Sequence, residues 1–77
     1  ARALKDPKTA LQEWLQGRRM ALPKYSLANT RGEAHQQEFE VECEIAGLNL
    51  NTRGIGVSRR AAEQQSAQRM LELLPKK

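Results

Sequence analysis

The segment from Glu38 to Ile45, EFEVECEI, alternates charged and apolar side chains without interruption. Successive side chains of a β-strand point to opposite faces, so this period of two predicts a strand with one buried face and one face in water. Phe39, Val41, Cys43 and Ile45 would line the core, while the glutamates face solvent. A half-buried strand of this kind is typical of an antiparallel sheet that is covered on one side.

A first helix is predicted before this strand. Asp6 is a good N-cap residue and Pro7 is favoured at the first helical position, so the helix would begin here. It would cover residues 7–16, with Gly17 as the C-cap. Three apolar residues at helical spacing would form its core face: Leu11, Trp14 and Leu15.

A second helix is predicted after the strands, with Ser58 as its N-cap and Pro75 as the residue that stops it. Its buried stripe runs at steps of four residues, with two apolar residues beside it: Ala62, Ser66, Met70 and Leu74, then Ala67 and Leu71.

Two further strands are indicated more weakly. Ile55 and Val57 mark a short strand that Gly54 and Gly56 interrupt. Another strand over residues 25–30 would carry three residues in one phase of its alternation: Tyr25, Leu27 and Asn29.

The order of these elements is helix, three strands, helix, with a loop at residues 31–36 and a turn at residues 47–51. Each element needs a partner for its apolar side. The predicted fold class is therefore α+β, with the order α-β-β-β-α: a three-stranded antiparallel sheet with two helices packed on one face. The other sheet face would remain in water and carry the four glutamates.

Basic residues are concentrated at the two ends of the chain. The sequence holds 13 Lys plus Arg against 9 Asp plus Glu, a formal net charge of +4. Residues 1–24 contain six bases and two acids, residues 25–52 one base and five acids, and residues 53–77 six bases and two acids. Such a partition indicates one face that attracts an anionic partner and one that does not.

The second predicted helix begins against a local rule. The first turn of a helix prefers acidic residues because the macrodipole is positive there, yet this helix begins Ser58-Arg59-Arg60. Exposed backbone N–H groups and two guanidinium groups suit a phosphate, although two solvated surface arginines would also explain the pattern. The upstream Gly54-Ile55-Gly56 lacks the third glycine and the lysine of nucleotide-binding loops, so it indicates no mononucleotide site.

Hydrogen-bonding residues line the exposed side of the first predicted helix at spacing i, i+3, i+4 and i+7: Thr9, Gln12, Glu13 and Gln16. Such a stripe could read sugar hydroxyls and base edges in a shallow groove. The alternative is an ordinary solvated face, although such a face more often carries Lys and Glu pairs.

Other classes of site have little support. Cys43 is the one cysteine, so there is no disulfide framework, and a reducing, cytosolic setting fits. His35 has no cysteine or second histidine near it in sequence, so it indicates no metal site. Alternate glutamates on a strand stand about 6.6 Å apart, too far to share one ion easily.

No run of about 18 apolar residues occurs, so the sequence indicates no membrane-spanning helix. The three aromatic residues fall at core positions, which leaves no stacking platform for single-stranded nucleic acid.

Together these residues form a pattern that resembles a double-stranded RNA-binding domain. The matching motifs are Pro23-x-Tyr25, Gly32-x-x-His35-x-x-x-Phe39-x-Val41 and Gly54-x-Gly56-x-Ser58-Arg59-Arg60-x-Ala62, followed by Ser66-Ala67 and Met70-Leu71. The resemblance covers the chain from about Asp6 to Leu74. The opening Leu4-Lys5-Asp6-Pro7-Lys8-Thr9-x-Leu11-Gln12-Glu13 is similar to the linker and the first domain helix of bacterial ribonuclease III, so the chain most resembles the C-terminal domain of that family.

The resemblance implies three RNA contact regions on two minor grooves and the major-groove phosphates between them. They are the helix stripe Thr9, Gln12, Glu13 and Gln16, the loop residues Glu33, Ala34 and His35, and the helix start Ser58, Arg59 and Arg60. The resemblance also implies a linker remnant over residues 1–5, the RNA-binding domain over residues 6–75 and a basic tail at residues 76–77.

Two residues depart from the family pattern. Glu33 stands where the family often has Pro, and Glu63 stands where it has a third lysine at the helix start. The second departure removes one phosphate partner. Glu63 would instead pair locally with Arg59 or Arg60.

The function implied by the resemblance is to bind double-stranded RNA and position it for the endonuclease domain of a ribonuclease III-like protein. The chain starts at Ala1 rather than Met, so we expect a fragment of a longer protein. The family's acidic catalytic stretch is absent from the sequence, so we expect no enzyme activity and no cofactor here. Mg²⁺ and homodimerisation would belong to the missing nuclease domain of a cytoplasmic parent protein.

A protein-interaction version of the same fold, with little RNA binding, is the alternative function. Ser58, Arg59, Arg60 and His35 argue against it, because they keep the family's RNA-contact pattern. The pattern leaves open which RNAs are natural substrates, and whether four further bases touch RNA: Arg18, Arg19, Lys76 and Lys77.

Overall fold

The computed structural model describes residues 6–74. Its elements are α1 (Pro7–Gly17), β1 (Lys24–Arg31), β2 (Glu38–Ile45), a 3₁₀ turn (Ala46–Leu48), β3 (Leu50–Gly56) and α2 (Arg59–Leu73). The strands are antiparallel in the order β1-β2-β3, so β2 is central. The predicted α-β-β-β-α fold is confirmed. The predicted linker over residues 1–5, the stop at Pro75 and the tail at residues 76–77 lie outside the described residues.

The core lies between the helices and one face of β2. Val41, Cys43 and Ile45 are fully or almost fully buried, as the alternation of β2 predicted. Leu11 and Leu15 of α1 are also buried. The predicted stripe of the second helix completes the core: Ala62, Ser66, Met70 and Leu74 are buried, as is Ala67 beside them. Leu71, also predicted beside the stripe, packs against the core but is only partly buried. Because these residues meet on one side of β2, both helices cover the same face of the sheet.

Helix α1 ends one residue later than predicted. Gly17 is the last helical residue rather than the C-cap, and the left-handed residue is Arg19, with φ of 57°. The Met20 N–H donates to the Leu15 carbonyl at 3.0 Å, which closes the helix in a Schellman-type arrangement. The turn brings Met20, the residue after Arg19, into contact with the core, where it is partly buried.

The turn between β2 and β3 is also shorter than predicted. The predicted turn spans residues 47–51, but Leu50 and Asn51 already belong to β3. Asn49 carries the positive φ, at 56°, and its N–H donates to the Ala46 carbonyl at 3.1 Å. Asn tolerates the left-handed region better than most residues, so a glycine is not required there.

A register irregularity divides β1 into two halves. Tyr25 and Leu27 pair with the buried residues of β2, but the register then shifts so that Asn29 pairs with Glu40. Directly paired residues share a sheet face, so Asn29 lies on the outer face, opposite to the side that Tyr25 and Leu27 occupy. The predicted single phase for these three residues is therefore wrong after Leu27.

Strand β3 is longer than predicted, and its glycines do not interrupt it. It runs over Leu50–Gly56, and Gly54 and Gly56 pair with Val41 and Phe39 on the inner face. Val57 lies beyond the strand and is 81% exposed. The glycines allow α2 to lie directly on the strand backbone, which an apolar side chain at either position would prevent.

Candidate nucleic-acid interface

The stripe predicted on α1 is exposed along its whole length. Leu11 and Leu15 point into the core, so the residues on the other side of the helix face outward. All four members are exposed: Thr9, Gln12, Glu13 and Gln16. At the end of the helix, Arg18 lies over the Trp14 ring at 3.8 Å from the centroid and donates to the Trp14 carbonyl.

The conformation of the loop between β1 and β2 requires glycine at one position. Gly32 has φ of 86°, and a Cβ atom there would lie 2.4 Å from the Gln36 carbonyl oxygen. The Gln36 N–H donates to the Glu33 carbonyl at 2.8 Å, which closes the loop. The predicted contact residues Glu33, Ala34 and His35 are exposed.

The loop between β1 and β2 lies beside the segment that leads into α2. Ala34, His35 and Val57 all line one groove of about 520 Å³. Val57 directly precedes Ser58, so the groove that the loop residues line extends to the residue before the start of α2.

The start of α2 has the predicted cap. The Ser58 hydroxyl accepts a hydrogen bond from the Ala61 N–H at 3.1 Å, so Ser58 is the N-cap. Arg59 and Arg60 are exposed in the first turn. Arg59 Nε donates to the Glu63 carboxylate at 3.0 Å, which confirms the local pairing expected for this departure from the family pattern.

A network that the sequence did not indicate joins the starts of α1 and α2. Lys8 Nζ donates to Glu63, and the Lys8 backbone N–H donates to Gln64 Oε1 at 3.1 Å. Gln64 Nε2 in turn donates to Asp6 Oδ2 at 2.9 Å. Two of the three predicted contact regions are therefore held against each other by side chains more than 50 residues apart.

The carboxylates of this network are held in their charged form. Burial raises the pKa of Glu63, but the hydrogen bonds from Lys8 and Arg59 outweigh it and keep that pKa below its ordinary value. Hydrogen bonds from Thr9 and Gln64 lower the pKa of Asp6.

The outer face of the sheet has a different charge pattern. The glutamates of β2 run down its centre, as predicted, but Glu40 is not free in water. Its side chain is 15% exposed, and its oxygens lie 3.4 Å from Arg31 and 3.5 Å from Arg53. The β2 glutamates thus lie on the sheet face opposite the helices, and Glu40 is paired with bases on both flanking strands.

Within residues 6–74 no group of three or more His, Cys, Asp or Glu side chains is placed to hold a metal ion. No helix in this range is long and apolar enough to cross a membrane.

The fold and this surface define a class of protein that comparison with known families identifies. A family model described as "Double-stranded RNA binding motif" matches residues 7–74. The chain therefore belongs to the double-stranded RNA-binding motif family, as the sequence resemblance indicated.

Among proteins of this family, the chain is similar to proteins named Ribonuclease 3. The chain is 67% identical to Ribonuclease 3 of Delftia acidovorans over 72 residues, which are 94% of this chain and 32% of that protein. It is 62% identical to Ribonuclease 3 of Aromatoleum aromaticum over 74 residues, which are 96% of this chain and 33% of that protein. The chain spans about a third of the length of the curated relatives it matches.

Solved structures share the fold. A structure of Arabidopsis HYL1, reported for its implications for miRNA processing, superposes with a TM-score of 0.72 and 28% identity over 90% of this chain and 97% of that one. A solution structure of both double-stranded RNA-binding domains of DRB4 gives a TM-score of 0.64 and 30% identity over 86% of this chain and 42% of that one.

Proposed function

We propose that this domain binds double-stranded RNA by the shape of the A-form duplex. The α1 stripe enters one minor groove, and the loop at residues 33–35 enters the next one along the duplex. Ser58, Arg59 and Arg60 contact phosphates across the major groove between them. In this mode the protein contacts the 2′-hydroxyl groups and the backbone more than the bases, so it reads shape rather than sequence.

The observation that carries this proposal is the arrangement around the start of α2. The groove beside Val57 adjoins one minor-groove region, and the network through Lys8 and Glu63 adjoins the other. A duplex alternates minor, major and minor grooves along one side, so the phosphate-binding group has to lie between the two minor-groove groups. The start of α2 is adjacent to both of them.

The outer sheet face would point away from RNA in this orientation. Its central glutamates repel phosphates and would disfavour binding through the wrong side. Changing Glu40 and Glu42 to Gln is therefore expected to leave duplex binding intact. If binding disappeared while the domain stayed folded, the orientation would be wrong.

We further propose that the parent protein is a ribonuclease III, and that this domain positions RNA for its nuclease domain. The similarity to Ribonuclease 3 over one third of those proteins supports this assignment. The hydrolysis of the phosphodiester, the Mg²⁺ ions and the homodimer contact would all belong to that other domain of a cytoplasmic enzyme.

The experiment that tests RNA binding compares three ligands at two salt concentrations. The chain is titrated against a duplex RNA of about 20 base pairs, slightly longer than the site expected for such a domain, and against matched duplex DNA and single-stranded RNA. Binding to duplex RNA alone supports the proposal. Equal binding to all three would reduce it to a generic basic patch, and no binding at low salt would favour a protein-interaction role.

A pair of double variants tests the phosphate contacts. Arg59→Ala with Arg60→Ala should weaken binding broadly and lower the slope of log affinity against log salt by roughly 0.7–0.9 per lost contact. Lys24→Ala with Arg31→Ala removes the same charge from the outer sheet face and serves as the control. Equal losses in the two variants would show that only net charge matters.

A single variant tests the minor-groove contact. Gln12→Ala should weaken duplex RNA binding with little change of the salt slope, because the lost bonds are to uncharged groups. Gln68→Ala, on the exposed side of α2, is the matched control. A large loss of slope in Gln12→Ala would mean that this region lies on the phosphates instead.

A further inference from the structure

Two cations from different helices converge on one carboxylate. Lys8 Nζ bonds Glu63 Oε1 at 2.5 Å, and Arg59 Nε bonds Glu63 Oε2 at 3.0 Å. Each oxygen of the carboxylate therefore has its own cation. The two positive groups come to adjacent positions although Lys8 and Arg59 are far apart in sequence.

The carboxylate lies behind the cations rather than in front of them. The Glu63 side chain is 14% exposed, whereas those of Lys8 and Arg59 are 34% and 55% exposed. Glu63 engages Arg59 through Nε, so it does not occupy the fork of terminal Nη groups that recognises phosphate oxygens. One carboxylate against two cations leaves a surplus positive charge toward solvent.

Lys8 is held by more than its ion pair. Its ammonium lies 4.9 Å from the centroid of the Tyr25 ring, and its backbone N–H is bound by Gln64. These contacts limit the freedom of the side chain before any ligand arrives. A preorganised cation loses less entropy on binding than a free surface lysine.

We propose that Lys8 and Arg59 together bind one RNA phosphodiester group, with Glu63 as the positioning residue that holds the two cations side by side. This inference rests on the proposed function and adds Lys8 to the phosphate contacts. The ligand it fits is a singly charged phosphodiester, which matches the surplus charge of the cluster. Lys8 thereby takes the part of the phosphate-binding lysine that Glu63 replaces at the start of α2.

Matched single variants test Lys8. Lys8→Gln should lower the salt slope of duplex RNA binding by roughly 0.7–0.9 and the affinity by about fivefold to eightfold at about 0.1 M salt, as expected for one phosphate contact. Lys24→Gln removes the same charge on the outer sheet face and should change neither quantity by more than about twofold. An unchanged slope in Lys8→Gln, or equal effects in the two variants, would overturn the inference. Thermal unfolding of both variants separates loss of contact from loss of fold.

A double-variant comparison tests the positioning role of Glu63. The effect of Lys8→Gln on RNA affinity is measured in the native chain and again with Glu63→Ala, which removes the carboxylate that joins Lys8 to Arg59. We expect the effect in the second background to be less than half as large on a logarithmic scale. Equal effects would show that Lys8 acts without Glu63.

The measurements also separate this inference from the proposed function. If the native chain fails to bind duplex RNA, the proposed function is wrong. If it binds and Lys8→Gln binds equally well with the same slope, only the site at Lys8 and Arg59 is wrong.

Discussion

Gly54 lies directly against the backbone of Ser66. A Cβ atom at Gly54 would stand 2.3 Å from the Ser66 backbone nitrogen and 2.4 Å from the Ala62 carbonyl oxygen. Both neighbours belong to the backbone of α2 and cannot rotate aside. Gly54 thus determines how closely α2 lies on β3, and with it the position of Ser58, Arg59 and Arg60.

Replacing this glycine should therefore be costly. We expect Gly54→Ala to lower the free energy of unfolding by about 3 kcal/mol, because the helix has to shift as a unit. Urea unfolding followed by circular dichroism measures the change. Gly17→Ala is the control, since nothing lies within 4 Å of the added carbon and alanine favours helices, so it should stabilise by roughly 0.5–1 kcal/mol. Native-like stability of Gly54→Ala would contradict the close approach.

The glycines show what a sequence predicts and what it does not. The alternation in β2 and the four-residue steps in α2 predict the buried residues correctly, because each pattern belongs to a single element with one face toward the core. Gly54 and Gly56 were read as interruptions, because their role depends on a helix that approaches from elsewhere in the chain. The register shift after Leu27 was missed for the same reason: only the pairing with β2 reveals it.

In the candidate site, too, the features that depend on nearby residues were predictable, and those that depend on distant residues were not. Ser58 was predicted as a cap from its neighbours in sequence, and the exposure of the α1 stripe followed from the burial of Leu11 and Leu15. Lys8 was missed because its partner Glu63 lies 55 positions away and no periodicity connects them. The spacing of four between Arg59 and Glu63 was the one local signal of that network.

Arg19 occupies a position that favours glycine. Its φ of 57° places a residue with a Cβ atom in the left-handed region, where only glycine avoids a steric penalty. We expect Arg19→Gly to raise the free energy of unfolding by about 0.5–1 kcal/mol. Urea unfolding checks the change, and Arg18→Gly, whose φ is negative, is the control and should not stabilise. A loss of stability in Arg19→Gly would contradict the left-handed turn.

Cys43 should make the domain sensitive to alkali. Burial raises the pKa of the Cys43 thiol to about 11, while the thiol of an unfolded chain titrates near about 8.5. Between these two pKa values the unfolded chain releases the thiol proton while the folded chain retains it. The contribution of Cys43 to the free energy of unfolding is therefore fully present below the unfolded pKa, and it is lost as the pH rises toward the folded pKa. Burial also raises the pKa of Tyr25, which adds to the loss at higher pH.

We expect this effect to reach about 2 kcal/mol by about pH 10.5. Urea unfolding at a series of pH values measures it. Cys43→Ala, although less stable at neutral pH, should show a shallower decline over the same range. An equally steep decline in that variant would assign the alkaline loss to other groups.

The outer edge of β3 is closed by two side chains of α2. Gln65 Oε1 accepts from the Ile55 N–H at 2.6 Å, and Arg69 donates to the Arg53 carbonyl at 3.1 Å. Both strand groups face away from β2, and an unpaired edge is where a sheet pairs with another chain. These contacts therefore protect the edge in the way that a neighbouring strand would.

Removing both side chains should expose the β3 edge to other copies of the chain. We expect Gln65→Ala with Arg69→Ala to lower the free energy of unfolding by about 1–3 kcal/mol, as expected for two lost hydrogen bonds, and to self-associate in a concentration-dependent way. Sedimentation velocity over a range of protein concentrations measures the association. Gln68→Ala with Arg18→Ala removes the same side-chain types away from β3 and should stay at the size of the native chain. If the edge variant also kept that size at every concentration, the edge would be protected by the twist of β3 rather than by α2.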